Sequence, residues 1–140
     1  MTLIVIGSIA LDARAAEPAP NIETELAHKM EQMNSALRKL RRQVADPART
    51  ADSLDQLAML RSGAEAAVEL TPLKATEAPA AKRAAMIEGY RVKMREMLAL
   101  LDKLETALRA ARNEEAAGIL QEIVALQKTA HKEYKSESFD

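Results

Sequence analysis

The sequence predicts an all-α protein: an antiparallel up-down-up-down four-helix bundle preceded by a signal segment. Three observations carry that expectation. Glycine (4 residues) and aromatics (2%) are scarce beside plentiful aliphatic residues and alanine, which leaves little of what strands prefer. Apolar residues recur at alternating steps of three and four over long stretches, the spacing of one buried helical face. The prolines fall between those stretches rather than inside them, where they would break a helix. The length of 140 residues suits one domain even after a leader is subtracted.

The chain opens on Leu3-Ile4-Val5-Ile6-Gly7-Ser8-Ile9-Ala10-Leu11, too short an apolar run to span a bilayer, followed by the small-x-small pattern Ala13-Arg14-Ala15. Residues 1–16 are therefore read as a signal peptide cleaved at Ala15 or Ala16, although no lysine or arginine precedes the run. A disordered apolar arm is the other reading. Residues 17–20 form a linker and residues 21–140 the bundle.

Helix one is expected over 22–45, with Asn21 as cap and Glu23 and Glu25 at the positive end of the dipole. Its stripe is Leu26, Met30, Met33, Leu37, Leu40 and Val44. Asp46 and Pro47 suit a cap and a first helical position, so helix two is expected to start there and run to about residue 69. It would bury Leu54, Leu57, Ala58, Ala64 and Val68, and Ser62-Gly63 weakens it. Residues 71–79 carry two prolines and little periodicity, and read as one long connection crossing an end of the bundle. Helix three is expected from about residue 80, with the seam Met86, Tyr90, Met94, Met97, Leu101, Leu104 and Leu108. Asn113, with Glu114 and Glu115 behind it, reads as the cap of helix four, whose broad face carries Ile119, Leu120, Ile123, Val124, Gln127, Ala130, His131 and Tyr134. The polar tail after residue 135 is expected to fray.

Short connections make helices one and two, and three and four, antiparallel pairs. The start of helix one and the end of helix four then share one end of the bundle. Met30 and His131, far apart in sequence, are expected to face each other there at similar depth.

Several function classes are disfavoured. Twenty Lys and Arg against 21 Asp and Glu leave a net charge of -1, which gives no field for nucleic acid or an anionic membrane. The absence of cysteine removes disulfides, thiol chemistry and the Cys-x-x-Cys-His attachment, so any haem must be b-type and non-covalent. With 2 histidines and no cysteine there is no nucleophile-base-acid arrangement, and the paired Glu-x-x-His motifs of a di-iron bundle do not occur, so an enzyme is not expected. The run Arg38-Lys39-Leu40-Arg41-Arg42 reads first as a solvated face around Leu40 and second as an anion or partner patch.

On residues alone, Met30 and His131 have two readings. Core filler and a satisfied rim histidine is the commoner pattern. The other is an axial pair for a haem entering edge-on between the helices, because thioether sulfur and imidazole nitrogen are ligands of electron-transfer haems. His28 lies about 200° around helix one from Met30 and reads as a surface residue.

The stretch from Glu25 through His28, Met30, Met33, Asn34 and Leu37, together with Leu126-Gln127-Lys128-Thr129-Ala130-His131-Lys132-Glu133-Tyr134-Lys135, resembles the two ends of the soluble cytochrome b562 family. The resemblance spans roughly residues 21–135. It implies one haem b per chain held by Met30 and His131, electron transfer with an unidentified redox protein partner, and a periplasmic location with no stable membrane insertion after leader removal. Met33, Leu37, Tyr90, Met94 and Met97 become candidate wall residues, and Lys135 a propionate partner. The family places arginine one turn before and after the histidine; here Gln127 and Lys135 stand there. Lysine offers a point charge rather than a planar fork.

Two other functions remain to be set against this one. A haem-free exported bundle, acting as a binding or chaperone-like module with vestigial ligands, is favoured by Gln127 and the thin aromatic inventory. Met30-x-x-Met33 and Met94-x-x-Met97 place thioethers one turn apart, a spacing that suits Cu(I) and also ordinary packing.

Overall fold

The three-four seams turn inward, as their spacing requires. The computed structural model describes residues 22–134, apart from the side chains of residues 22–24, 26 and 73. The leader, the linker, the Asn21 cap, Lys135 and the tail lie outside the described residues. Four long helices, α1 (Ile22–Gln43), α2 (Thr50–Val68), α4 (Ala80–Arg109) and α5 (Asn113–Tyr134), are joined by short turns and by a short α3 (Leu73–Glu77). No strand occurs among the described residues.

Met33, Leu37 and Leu40 of α1, and Val44 in the turn just past its end, two residues short of where helix one was expected to stop, meet Tyr90, Met94, Met97, Leu101, Leu104 and Leu108 of α4 in one buried core with Leu120 and Ile123 of α5. In α2 the buried seam is Leu57, Leu60, Ala64 and Ala67, which corrects the expected one: Ala58 faces solvent, and Leu54 and Val68 are only partly buried. Steps of three, four and three from Leu57 leave Ala58 outside the face. Gly63 is buried for a positive reason. A Cβ built there would lie 2.6 Å from Met33 Cγ, so the bare backbone is the notch that receives Met33 from α1.

The breaks depart from the sequence reading in detail. Asp46 caps as expected, its Oδ1 accepting from Ala48 N at 2.9 Å with Pro47 in the first turn, but it caps a 3-10 turn (Pro47–Arg49) ahead of α2. The expected long connection holds α3, with Pro72 before it and Ala78-Pro79 after it, and Ala75 of α3 is fully buried. Packing of α3 against α4 and α5 closes part of one bundle end.

Asn113 does not cap α5. The first helical bond runs from Ala116 N to Arg112 O at 2.9 Å, which puts Asn113 one residue inside the helix. Its Nδ2 donates instead to Val44 O at 3.0 Å and Thr50 Oγ1 at 3.2 Å, tying the α4–α5 turn to the α1–α2 turn. The end of α4 is a Schellman motif: Arg112 N bonds Ala107 O at 2.9 Å and Ala111 N bonds Leu108 O at 3.1 Å, with Ala111 at φ 57. A left-handed alanine costs about 1–2 kcal/mol, partly offset by glycine's greater freedom when unfolded. Ala111→Gly should therefore stabilise the fold by about 0.5–1 kcal/mol, read as a midpoint raised by a few degrees in thermal melts.

Tyr90 is the largest buried side chain, and its hydroxyl donates to Ala67 O at 2.6 Å, joining α4 to the last turn of α2. Burial pushes its pKa well above the ordinary 10.0. The neutral phenol is therefore the form the fold holds: stability is intact below pH 10 and falls above it, where the unfolded chain ionises and the folded one resists. Tyr90→Phe should cost about 1 kcal/mol at neutral pH through the lost bond. It should also flatten the alkaline limb in melts followed from pH 8 to 11, leaving only the smaller slope of Tyr134.

Candidate functional site

Pairwise packing closes the helices into a ring in the order α1, α2, α4, α5, and α1 touches α5 least. One end holds both tight turns, and Asn113 laces it shut. At the other end the ring loosens. No described residue of α1 before Met33, of α4 before Tyr90 or of α5 after Ile123 is fully buried. The result is a mouth rimmed by half-buried apolar side chains, among them Met30, Met86, Ile87, Leu126 and Tyr134.

The register of α1 against α5 at this mouth is fixed by one side-chain bond, from Gln127 Nε2 to Asn34 Oδ1. The helices are antiparallel. One turn outward from Asn34 on α1 is therefore Met30, and one turn outward from Gln127 on α5 is His131. Positions 30 and 131 thus lie at one level on either side of the loosest seam of the bundle. Met30 is half-buried and packs on the edge of the core; His131 is exposed. The exposure of His131 corrects the expectation that it faces inward. Its helix keeps the same periodicity, and Tyr134 beyond it still packs on Tyr90 of α4, but position 131 lies on the side toward α1, the helix that α5 touches least, and stays uncovered.

The remaining candidates divide by helix. Met33 and Leu37 on α1, and Tyr90, Met94 and Met97 on α4, are buried in the core. Met33, Met94 and Met97 are each 4% exposed, so packing accounts for their spacing without a soft metal. Tyr134 reaches across to α4: its ring stands edge-on to Tyr90 with centroids 5.6 Å apart, and its hydroxyl lies 2.5 Å from where a Gly89 Cβ would be. Burial, then the neighbouring Glu133 carboxylate, raises its pKa. His28 is exposed and shares a hydrogen bond with Gln32 at 3.2 Å, on the same helix as Met30. It cannot approach from the opposite side.

Asn34 was missed by the sequence reading. The signal was present, because a polar residue one turn from Met30 is matched by Gln127 one turn from His131.

The donor set fits an iron already held by a macrocycle. A porphyrin supplies four nitrogens, and a protein then needs two axial donors on opposite sides rather than a cluster of its own. Among the described residues, no group of three His, Cys, Asp or Glu is arranged to hold a metal ion. The apolar rim suits the macrocycle itself, since covering those side chains removes apolar surface from water. No helix among the described residues is long and apolar enough to cross a membrane. The family model for cytochrome b562 matches residues 25–135, most of the chain. Comparison with curated proteins gives no match.

Proposed function

Because the chain belongs to the cytochrome b562 family of haem-binding electron carriers, we propose that it binds one haem b per chain, without a covalent bond, through Met30 and His131. The observation that supports this reading is the Asn34–Gln127 contact, which puts positions 30 and 131 at one level of the mouth. Accessibility favours the same pair. Met30 is half-buried and His131 exposed, whereas Met33, Met94 and Met97 are committed to the core.

Bound haem supplies a one-electron couple. Everything else is the work of the chain. The Met30 thioether is a soft, neutral donor that favours ferrous iron and so raises the reduction potential. His131 would supply the second protein donor, and with both donors engaged a bound haem would carry electrons rather than bind oxygen or a substrate. Electron transfer to a redox protein partner, rather than catalysis, is the chemistry that remains. Met33, Leu37, Tyr90, Met94 and Met97 form the apolar floor of the mouth and keep water from its base. Lys135, outside the described residues, offers a charge for a propionate in place of the family's arginine. The leader motif and the family's periplasmic setting support the same location here.

Absorbance titration of the purified chain with haemin tests this reading. The expected result is saturation at one equivalent, with the sharp visible bands of a low-spin haem after reduction. A chain that stays colourless, with a thermal midpoint indifferent to haemin, would leave the haem-free binding module instead.

A further inference from the structure

Glycine inside a helix is disfavoured, so each one found there needs a reason. Gly89 sits in the first half of α4, and no glycine among the described residues has a positive φ, so backbone freedom is not that reason. The reason is space. A Cβ built at Gly89 would lie 2.5 Å from the Tyr134 hydroxyl oxygen and 3.8 Å from its Cζ, so the bare backbone is a notch that seats the end of the phenol. The Tyr134 ring also stands edge-on to Tyr90 with centroids 5.6 Å apart, which holds the side chain to α4 at two neighbouring positions.

The consequence falls on His131. Tyr134 is the last residue of α5, the helix that carries the imidazole. Past Ile123 no described residue of α5 is fully buried, and α5 touches α1 least, so the packing that fixes its last turn comes from the α4 side. Three residues turn a helix by about 300°, which sets His131 about 60° around the axis from Tyr134 and less than one turn away. A helix end with few buried contacts frays and rotates readily, and either motion would carry the imidazole with it. A phenol seated on α4 opposes both.

We propose that Tyr134, seated in the Gly89 notch, is a positioning residue for His131: it anchors the last turn of α5 to α4 and so holds the imidazole at the level of Met30. The consequence for haem rests on the function proposed above, whereas the anchor is a property of the chain alone. The hydroxyl is what makes glycine necessary. With Cζ at 3.8 Å, a methyl at position 89 would be in ordinary contact with the ring, so phenylalanine at 134 can keep the seat beside alanine at 89 where tyrosine cannot.

The test compares the full chain with Tyr134→Ala, Gly89→Ala, Tyr134→Phe and the double variant Gly89→Ala/Tyr134→Phe. Amide hydrogen exchange over residues 127–134 without haemin reads the anchor. It should speed up about fivefold or more in Tyr134→Ala and in Gly89→Ala, even though alanine is the better helix former and the thermal midpoint of Gly89→Ala should not fall. Tyr134→Phe should exchange like the parent, and the double variant should return to the parent's rates. In haemin titrations the two loosened variants should lose affinity about tenfold and show a high-spin component at saturation, and the double variant should regain the low-spin bands. Unchanged exchange in both Tyr134→Ala and Gly89→Ala would overturn the anchor. So would low-spin bands lost in Gly89→Ala that Tyr134→Phe fails to restore, because the methyl would then act on the pocket directly. A parent that takes up no haemin would overturn the haem reading and the role of His131 with it, while the exchange rates would still decide the anchor.

Discussion

His131→Ala is expected to lower haemin affinity by roughly 100-fold or more and to abolish the low-spin spectrum. Loss of an outer-sphere partner of a ligand already costs about 10- to 100-fold, and here the ligand itself is removed. The exposure of His131 makes this a clean experiment. Nothing in the core rests on the imidazole, so the haem-free variant should keep its helicity and stay within about 0.5 kcal/mol of the parent. Met30 is half-buried against the core, so Met30→Leu is the better partner variant, because a volume-conserving exchange costs little in packing. It should keep haem through His131 yet open the other axial position, lowering the reduction potential and admitting carbon monoxide. If His131→Ala titrates like the parent and reduces to the same bands, the imidazole is not a ligand and the α1–α5 register has been given the wrong meaning.

What was legible in the sequence follows from how regular each feature is. The seams of α1 from Met33 onward and of α4 from Tyr90 onward could be read residue by residue because a long helix against a packed core repeats its buried positions, while Met30 and Met86 nearer the mouth are only half-buried. The five-residue α3 could not, since it is too short for a period and its flanking prolines look like a plain loop. Asn113 is a residue type that suits a cap and a buried tie equally, and only the position of Val44 O and Thr50 across the turn decides between them. His131 shows the limit of periodicity most directly. The sequence carries the angle of a side chain about its own helix, but burial also needs a neighbour, and how little α1 covers α5 is a property of all four long helices together. The register between α1 and α5 is likewise held in the Asn34–Gln127 pair rather than in either stripe.

Gly63 belongs to the same class, since its role is set by the helix it faces, and it carries the second large expectation. Gly63→Val should destabilise the fold by about 3 kcal/mol, at the upper end of what overpacking costs. Even a lone Cβ would meet Met33 Cγ at 2.6 Å and Met33 Sδ at 3.3 Å, with the Lys29 carbonyl at 3.8 Å behind them. Valine adds two further methyls into that space. The helix gain over glycine is at most several tenths of a kcal/mol for a β-branched residue, too little to reverse the sign. Set against a total stability of about 5–15 kcal/mol, the change should lower the midpoint by roughly 10 °C. Met33→Ala alone should cost about 2–5 kcal/mol by leaving a cavity at a position 4% exposed. In the double variant the valine methyls fill that cavity, so the two losses should fall short of their sum by about 1–3 kcal/mol. Strict additivity would mean that Met33 does not occupy the notch. The haem site should respond as well: relief comes from the Met33 side chain turning and from α1 moving away from α2, which carries Met30 with it, so Gly63→Val should also weaken haemin binding from a residue that touches neither ligand.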